Sequence, residues 1–296
     1  MQPEWEAFWD EAFLRKLENL RMAARKGLRG PEAGAHKSWP RGEGLEFLDY
    51  REYQPGDDLR YVDWSVYGRL DKLLVKLLHA EKNQTLHLLL DMSASMAAGS
   101  PPKALCARKI AAAVGYIGLA NLDKIGLAAF ATKVDGVLPP VRGKRSYPAL
   151  LQFLLGLAPA APTDISASLS QYALGCKQPG VAVILSDLLD PKGCRGGLRA
   201  LRQRKFDVHL IQILDPQELF WDQTGHLLLE EIETGRRKRV LVDRPLLERF
   251  RRKVAAFMND IAEECRTYGI GYALWDTRIA VEDFLVDYLT RGAVFR

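Results

Sequence analysis

From about residue 85 onward, short apolar runs alternate with stretches of helical periodicity, and this rhythm leaves few folds open. The runs at 86–90, 125–130, 181–185, 208–214 and 270–274 are dominated by Leu, Ile, Val and Ala. Runs of that kind suit strands buried on both faces of a parallel sheet. Helices are predicted between them. Ser100-Pro101 reads as the cap and first turn of a helix carrying Ile110, Val114 and Ile117, with further helices at 146–155, 165–174, 197–203 and 245–268. A short antiparallel strand is expected at 134–138. The alternation predicts a doubly wound, mostly parallel α/β sheet of strand order 3-2-1-4-5-6. A hairpin inserted at 226–242, with arms 226–232 and 239–242 joined through Thr234-Gly235, interrupts it.

The residues before 83 differ in character. Phe8, Phe13, Leu14, Leu17 and Leu20 recur at helical spacing over 1–30, and Gly30-Pro31 ends that pattern. Residues 41–82 are rich in Gly, Asp, Arg and aromatics; they read as short strands at 45–48 and 73–78 around a turn at 54–58. The expected layout is therefore 1–82 as an extension packing on the main domain, 83–296.

Charge and cysteine usage narrow the classes. The net charge of +5 is mild, and basic residues gather at Arg15, Lys16, Arg21, Arg25, Lys26, Arg29, Lys37 and Arg41, and again at 236–239. Aromatic interleaving is sparse, so these clusters read as solvated faces, and no nucleic acid is expected as a partner. The four cysteines, Cys106, Cys176, Cys194 and Cys265, form no CxxC pair, which argues against a zinc site or a disulfide framework and for a reducing cytoplasm. The N-terminal residues lack the pattern of a secretory leader, and the weakly polar stretch 110–122 is too short to span a bilayer. The expectation is a cytoplasmic chain without a transmembrane segment.

The chemistry concentrates at strand ends. The first predicted strand closes on Asp91-Met-Ser93-Ala-Ser95. A carboxylate at the end of a buried strand is costly to desolvate and needs a cation or several donors. With two hydroxyls at alternate positions it forms a hard oxygen set, suited to Mg2+ or Mn2+. Thr163-Asp164 opens a later helix, and Asp187 closes the fourth predicted strand, followed by Asp190. In the predicted strand order the first and fourth strands are neighbours at the switch point, so Asp91 and Asp187 are expected to face one crevice.

The pattern Asp-x-Ser-x-Ser, a later Thr and a later Asp resembles the metal-ion-dependent adhesion site of von Willebrand factor A domains, which are Rossmann-like in fold. The resemblance implies a metal held by Asp91, Ser93, Ser95, Thr163 and Asp187, with Asp164 and Asp190 as supports. It also implies one coordination position left open for a partner's acidic side chain. The stretch before it, with Gly42, Gly44, Arg51, Tyr53, Gly56, Asp57, Asp58, Arg60, Asp63 and Trp64, resembles the signature of the domain-of-unknown-function 58 family. That likeness covers roughly residues 41–215. Its members are bacterial and archaeal proteins commonly encoded beside MoxR-type AAA+ ATPases. Many have N-terminal membrane helices; none is expected in this chain.

The resemblance implies a non-enzymatic, metal-dependent adaptor or co-chaperone that grips a carboxylate of a protein partner, with a MoxR-type ATPase as the partner class. The alternatives are a metal-dependent phosphoester hydrolase and a basic nucleic-acid-binding protein. Arg51, Asp58, Arg60 and Asp63 are expected to form a paired-charge network under Trp64, capping a sheet edge or offering a partner surface. Position 93 is Ser where haloacid-dehalogenase-type chemistry needs a second Asp. No phosphate-binding loop or nucleophile elbow is present. His87 and His209 fall within predicted strands and read as core residues.

Overall fold

The computed structural model describes residues 15, 45–55, 57–80, 85–159, 162–232 and 235–290. The helix expected over 1–30, the basic stretch around it and Gly56 lie outside these residues, except for Arg15. The described residues fall into two compact units: 45–80 belong to one spanning Glu32–Asn83, and 85–290 to the other.

In the smaller unit, β1 (Leu45–Glu52) pairs antiparallel with β2 (Leu74–Ala80). Between them lies α1 (Trp64–Leu70), a helix the sequence reading did not anticipate. Asp63 starts it by accepting from the backbone N–H of Ser65 and Val66, satisfying donors that a first helical turn leaves unpaired.

The larger unit is built on six strands: β3 (Thr85–Asp91), β4 (Lys124–Phe130), β5 (Val134–Arg142), β6 (Val181–Ser186), β7 (Asp207–Leu214) and β10 (Gly271–Asp276). They lie side by side as β5-β4-β3-β6-β7-β10. All neighbours are parallel except β4 and β5. The antiparallel strand is therefore present, and it runs on to Arg142. The inserted pair, β8 (Gly225–Glu230) and β9 (Arg237–Val242), is an antiparallel hairpin with Leu227 opposite Val240.

Side-chain alternation along β3 divides the core between two faces. Leu86, Leu88 and Leu90 pack on one side with α2 (Lys103–Ala120), α3 (Tyr147–Leu155) and α8 (Val281–Thr290). Leu89 packs on the other with α4 (Ile165–Gly175), α5 (Arg195–Gln203) and α7 (Arg244–Thr267). A remaining short helix, α6 (Pro216–Leu219), follows β7. Every residue of β3 is buried, and each fully buried leucine contributes roughly 1.5–3 kcal/mol relative to exposure.

Helix α2 presses closely on its neighbours because small residues face them. A Cβ at Gly118 would stand 2.4 Å from Ile125 Cδ1, and one at Gly115 would stand 2.6 Å from Leu150 Cδ1. The helix starts at Lys103 rather than at Pro101, with Pro102 at its N-cap. Cys106, Cys176, Cys194 and Cys265 are free thiols. Among the described residues, no helix is long and apolar enough to cross a membrane.

His87 bears out its reading as a satisfied core residue. Its ring is held by the Tyr172 hydroxyl at 2.8 Å and the Gln178 carbonyl at 3.1 Å. Burial holds its pKa down, to about 4. His209 is buried too, but its Nδ1 has no hydrogen-bond partner, so it is not satisfied in the same way.

Candidate functional site

Parallel pairing aligns the strand ends. Leu90 of β3 stands opposite Leu185 of β6, so Asp91 and Ser186 follow at one level. The Ser186 hydroxyl donates to Asp91 Oδ2 at 2.6 Å, and the Ser93 N–H donates to Asp91 Oδ1 at 2.9 Å. Asp91 has no solvent exposure. Burial, then the nearby charge of Asp187, push its carboxyl up to about 6, against the pull of the Ser186 and Ser93 donors. A carboxylate with only neutral donors is under-compensated in such a place.

The serine hydroxyls of the motif stay beside it. Ser93 Oγ and Ser95 Oγ lie 3.0 Å apart in a hydrogen bond. Ser93 is fully buried, and Ser95 begins to reach solvent.

Asp187 follows β6 in a loop that is tightly fixed. Its Oδ1 accepts from the Leu189 N–H at 2.9 Å, and its carbonyl accepts from Gln212 Nε2 at 3.1 Å. Gln212 is itself held by the Tyr272 hydroxyl at 2.7 Å. Between Asp187 and Leu189, Leu188 sits at φ +61, a left-handed conformation that costs a non-glycine residue on the order of 1–3 kcal/mol and persists where the surroundings enforce it.

The second oxygen of Asp187 meets a residue the sequence reading missed. Lys103, fully buried in the first turn of α2, places Nζ 2.7 Å from Asp187 Oδ2 and also bonds Glu218 Oε1 of α6. Burial works against this ammonium, but the charges of Asp187 and Glu218 outweigh it and hold its pKa above the ordinary value. Burial pushes Glu218 up, partly offset by the Lys103 charge. Glu218 Oε2 accepts from the Asp215 N–H, closing a capping box around α6. Asp215 in turn accepts from the Ser100 N–H, which ties α6 to the loop that follows the serines.

Thr163 reaches the same end of the sheet by its backbone. The next residue, Asp164, donates its N–H to the Ala131 carbonyl just past β4, and Ile165 donates to Asp190 Oδ2 in the loop after β6. The Thr163 hydroxyl is buried and has no hydrogen-bond partner. A buried hydroxyl without a partner costs free energy and calls for an explanation.

The remaining predicted positions do other work. Asp164 caps α4 through the Ala167 N–H and pairs with Lys192. Asp190 accepts from the N–H groups of Ile165 and Lys192 at 2.8 Å each. Both therefore fasten loops around the site.

In the smaller unit the predicted charge network resolves into separate local pairs. Arg51 makes a two-pronged bond to Asp57, and Arg60 pairs with Asp58. Asp63 accepts from the Tyr50 hydroxyl at 2.7 Å while capping α1. The Tyr53 N–H bonds the Leu73 carbonyl across the strand ends. Trp64 is 57% exposed and edge-on to Tyr67. Each Arg lies within six residues of the Asp it meets.

The donor set fits a hard divalent ion in kind. Among the described residues no group of three or more His, Cys, Asp and Glu side chains is arranged as a metal cage. What the sheet end offers instead is the carboxylates of Asp91 and Asp187 and the hydroxyls of Ser93, Ser95 and Thr163, beside that of Ser186. One of those hydroxyls, on Thr163, is without a partner, and one of the carboxylates, on Asp91, is without a counter-charge.

Comparison with known proteins gives relatives over nearly the whole chain. The uncharacterized proteins Rv1480 of Mycobacterium tuberculosis and Mb1516 of Mycobacterium bovis are each 29% identical over 287 residues, which is 94% of this chain and 88% of the relative. Among solved structures, the conserved hypothetical protein BatB of Bacteroides thetaiotaomicron is similar at 15% identity and TM-score 0.44, over 71% of this chain and 98% of that one. The pilus adhesin SpaC of Lactobacillus rhamnosus GG is similar at 13% identity and TM-score 0.45, over 71% of this chain and 31% of that one. The family described as Protein of unknown function DUF58 matches residues 49–260, well over half of the sequence, and the chain belongs to that family.

Proposed function

We propose that the protein is a metal-dependent interaction module of the von Willebrand factor A kind. Asp91, Ser93, Ser95, Thr163 and Asp187 would hold Mg2+ or Mn2+, and a carboxylate of a protein partner would complete the ion's coordination. The observation that carries this reading is the buried Thr163 hydroxyl without a partner, at the sheet end where Asp91 is desolvated. An ion there would give the hydroxyl a bond and Asp91 a counter-charge. When bound, the ion supplies an electrophilic contact for an acidic ligand.

Two further features support the reading. The strands lie in the order β5-β4-β3-β6-β7-β10, an arrangement compatible with that fold. It sets β3 beside β6, where ligands bind in such sheets. The side chains around the carboxylates are committed to holding them: Ser186 to Asp91, Lys103 to Asp187, and Gln212 to the Asp187 carbonyl. A binding role suits that arrangement better than catalysis. The family resemblance points to a MoxR-type AAA+ ATPase as the partner class, and the chain then acts as its adaptor.

The test is a titration with capped Gly-Asp-Gly peptide, followed by NMR. Saturable shifts are expected in Mg2+, lost in EDTA and in the Asp-to-Asn peptide. Binding that is indifferent to EDTA would overturn the mechanism.

A further inference from the structure

Lys103 places a covalently attached cation at this site. Its ammonium is fully buried, bonds Asp187 at 2.7 Å and reaches Glu218, and comes from the first turn of α2. A cation is disfavoured at a helix N-terminus, where the backbone dipole is positive. Nothing in the packing of α2 requires a charge there, since its buried residues are otherwise apolar or small. The position is therefore explained by what the ammonium touches.

Both oxygens of Asp187 are engaged, Oδ1 by the Leu189 N–H and Oδ2 by Lys103. Asp91, by contrast, has only a hydroxyl and an N–H. The two carboxylates are thus made electrostatically unequal.

We propose that Lys103 sets the charge of the site: by offsetting Asp187 it leaves a bound divalent ion facing one uncompensated carboxylate, Asp91, so the ion keeps a net positive charge and selects an acidic ligand. This rests on the metal reading above. Lys103 is a positioning residue in it, acting through Asp187. Without the ammonium, the site holds a divalent ion more firmly and an anionic ligand less firmly. A purely structural role would instead weaken both together.

Lys103→Met keeps an unbranched side chain, one atom shorter, and removes the charge. By calorimetry its Mg2+ affinity is expected to rise about tenfold, while the affinity of the Mg2+-loaded protein for capped Gly-Asp-Gly falls about tenfold, the size of effect a single nearby charge exerts. Glu218→Gln gives the opposite split. Its oxygen can still accept from Asp215, but the ammonium loses one of its two anions, so Mg2+ binds less tightly and the peptide more tightly. The Glu218 side chain is 25% exposed, so this variant decides the matter if Lys103→Met does not fold. Parallel loss of both affinities, or no change in either variant, overturns the role of Lys103 while leaving the metal reading intact. Absence of Mg2+ binding by the wild type overturns both.

Discussion

Lys103→Met is expected to lower the free energy of unfolding by about 3–5 kcal/mol, the cost of breaking a buried ion pair by removing one partner. The side chains of Lys103 and Asp187 are 0% and 1% exposed, so solvent does not replace the lost bond. Glu218, partly exposed, can turn toward water and contributes less. Denaturant unfolding in EDTA measures the loss. The double variant Lys103→Met with Asp187→Asn is expected to recover a substantial part of it, because the uncompensated charge is then gone. The pair lies in one contact, so strong non-additivity follows. A loss under 1 kcal/mol, or no recovery in the double variant, would mean that the ammonium does not hold Asp187.

Asp91→Asn is expected to have the opposite sign. It should stabilise the metal-free protein by about 1–3 kcal/mol at pH 7.5, given that one unit of pKa shift is worth about 1.4 kcal/mol. The Asp91 carboxyl is raised from 3.8 to about 6 by burial and by Asp187. A folded-state pKa above the unfolded one leaves stability untouched below the unfolded value, and lowers it progressively as pH rises from the unfolded to the folded value. The gain in Asp91→Asn should therefore be absent below about pH 4 and complete above about pH 6, within the window that those two values define. Asparagine can still accept from the Ser93 N–H, so the turn itself survives. Thermal melts in EDTA across this range test the claim. A destabilised variant at pH 7.5 would show that Asp91 is compensated by the protein alone. The reverse holds with an ion present: Mg2+ should raise the melting temperature of the wild type and leave Asp91→Asn little changed, since a ligand stabilises the state that binds it.

Much of this architecture is written in hydrophobic periodicity. Strands buried on both faces leave apolar runs too short for most helices, and β3, β4, β6 and β7 were legible for that reason. Their ends then located Asp91 and Asp187. The last helix was missed by the sequence reading, although it left a signal: Val281, Phe284, Leu285 and Tyr288 recur at i, i+3, i+4 and i+7 and are all buried.

The partners of the carboxylates were harder to read. Lys103 meets Asp187 across 84 residues and Glu218 across 115, and Ser186 meets Asp91 across 95. No local spacing encodes such contacts. One signal was available for Lys103, a cation in the first turn of an apolar helix. Gln212 left a fainter one, a lone amide within an apolar strand. In the smaller unit, near neighbours in sequence pair: Arg51 with Asp57, and Arg60 with Asp58.

Titration of the wild-type protein and Asp91→Ala with Mg2+ by calorimetry tests the central claim most directly. The account predicts one saturable site in the wild type and no measurable binding in the variant. Equal binding by both proteins, or none by the wild type, would contradict it.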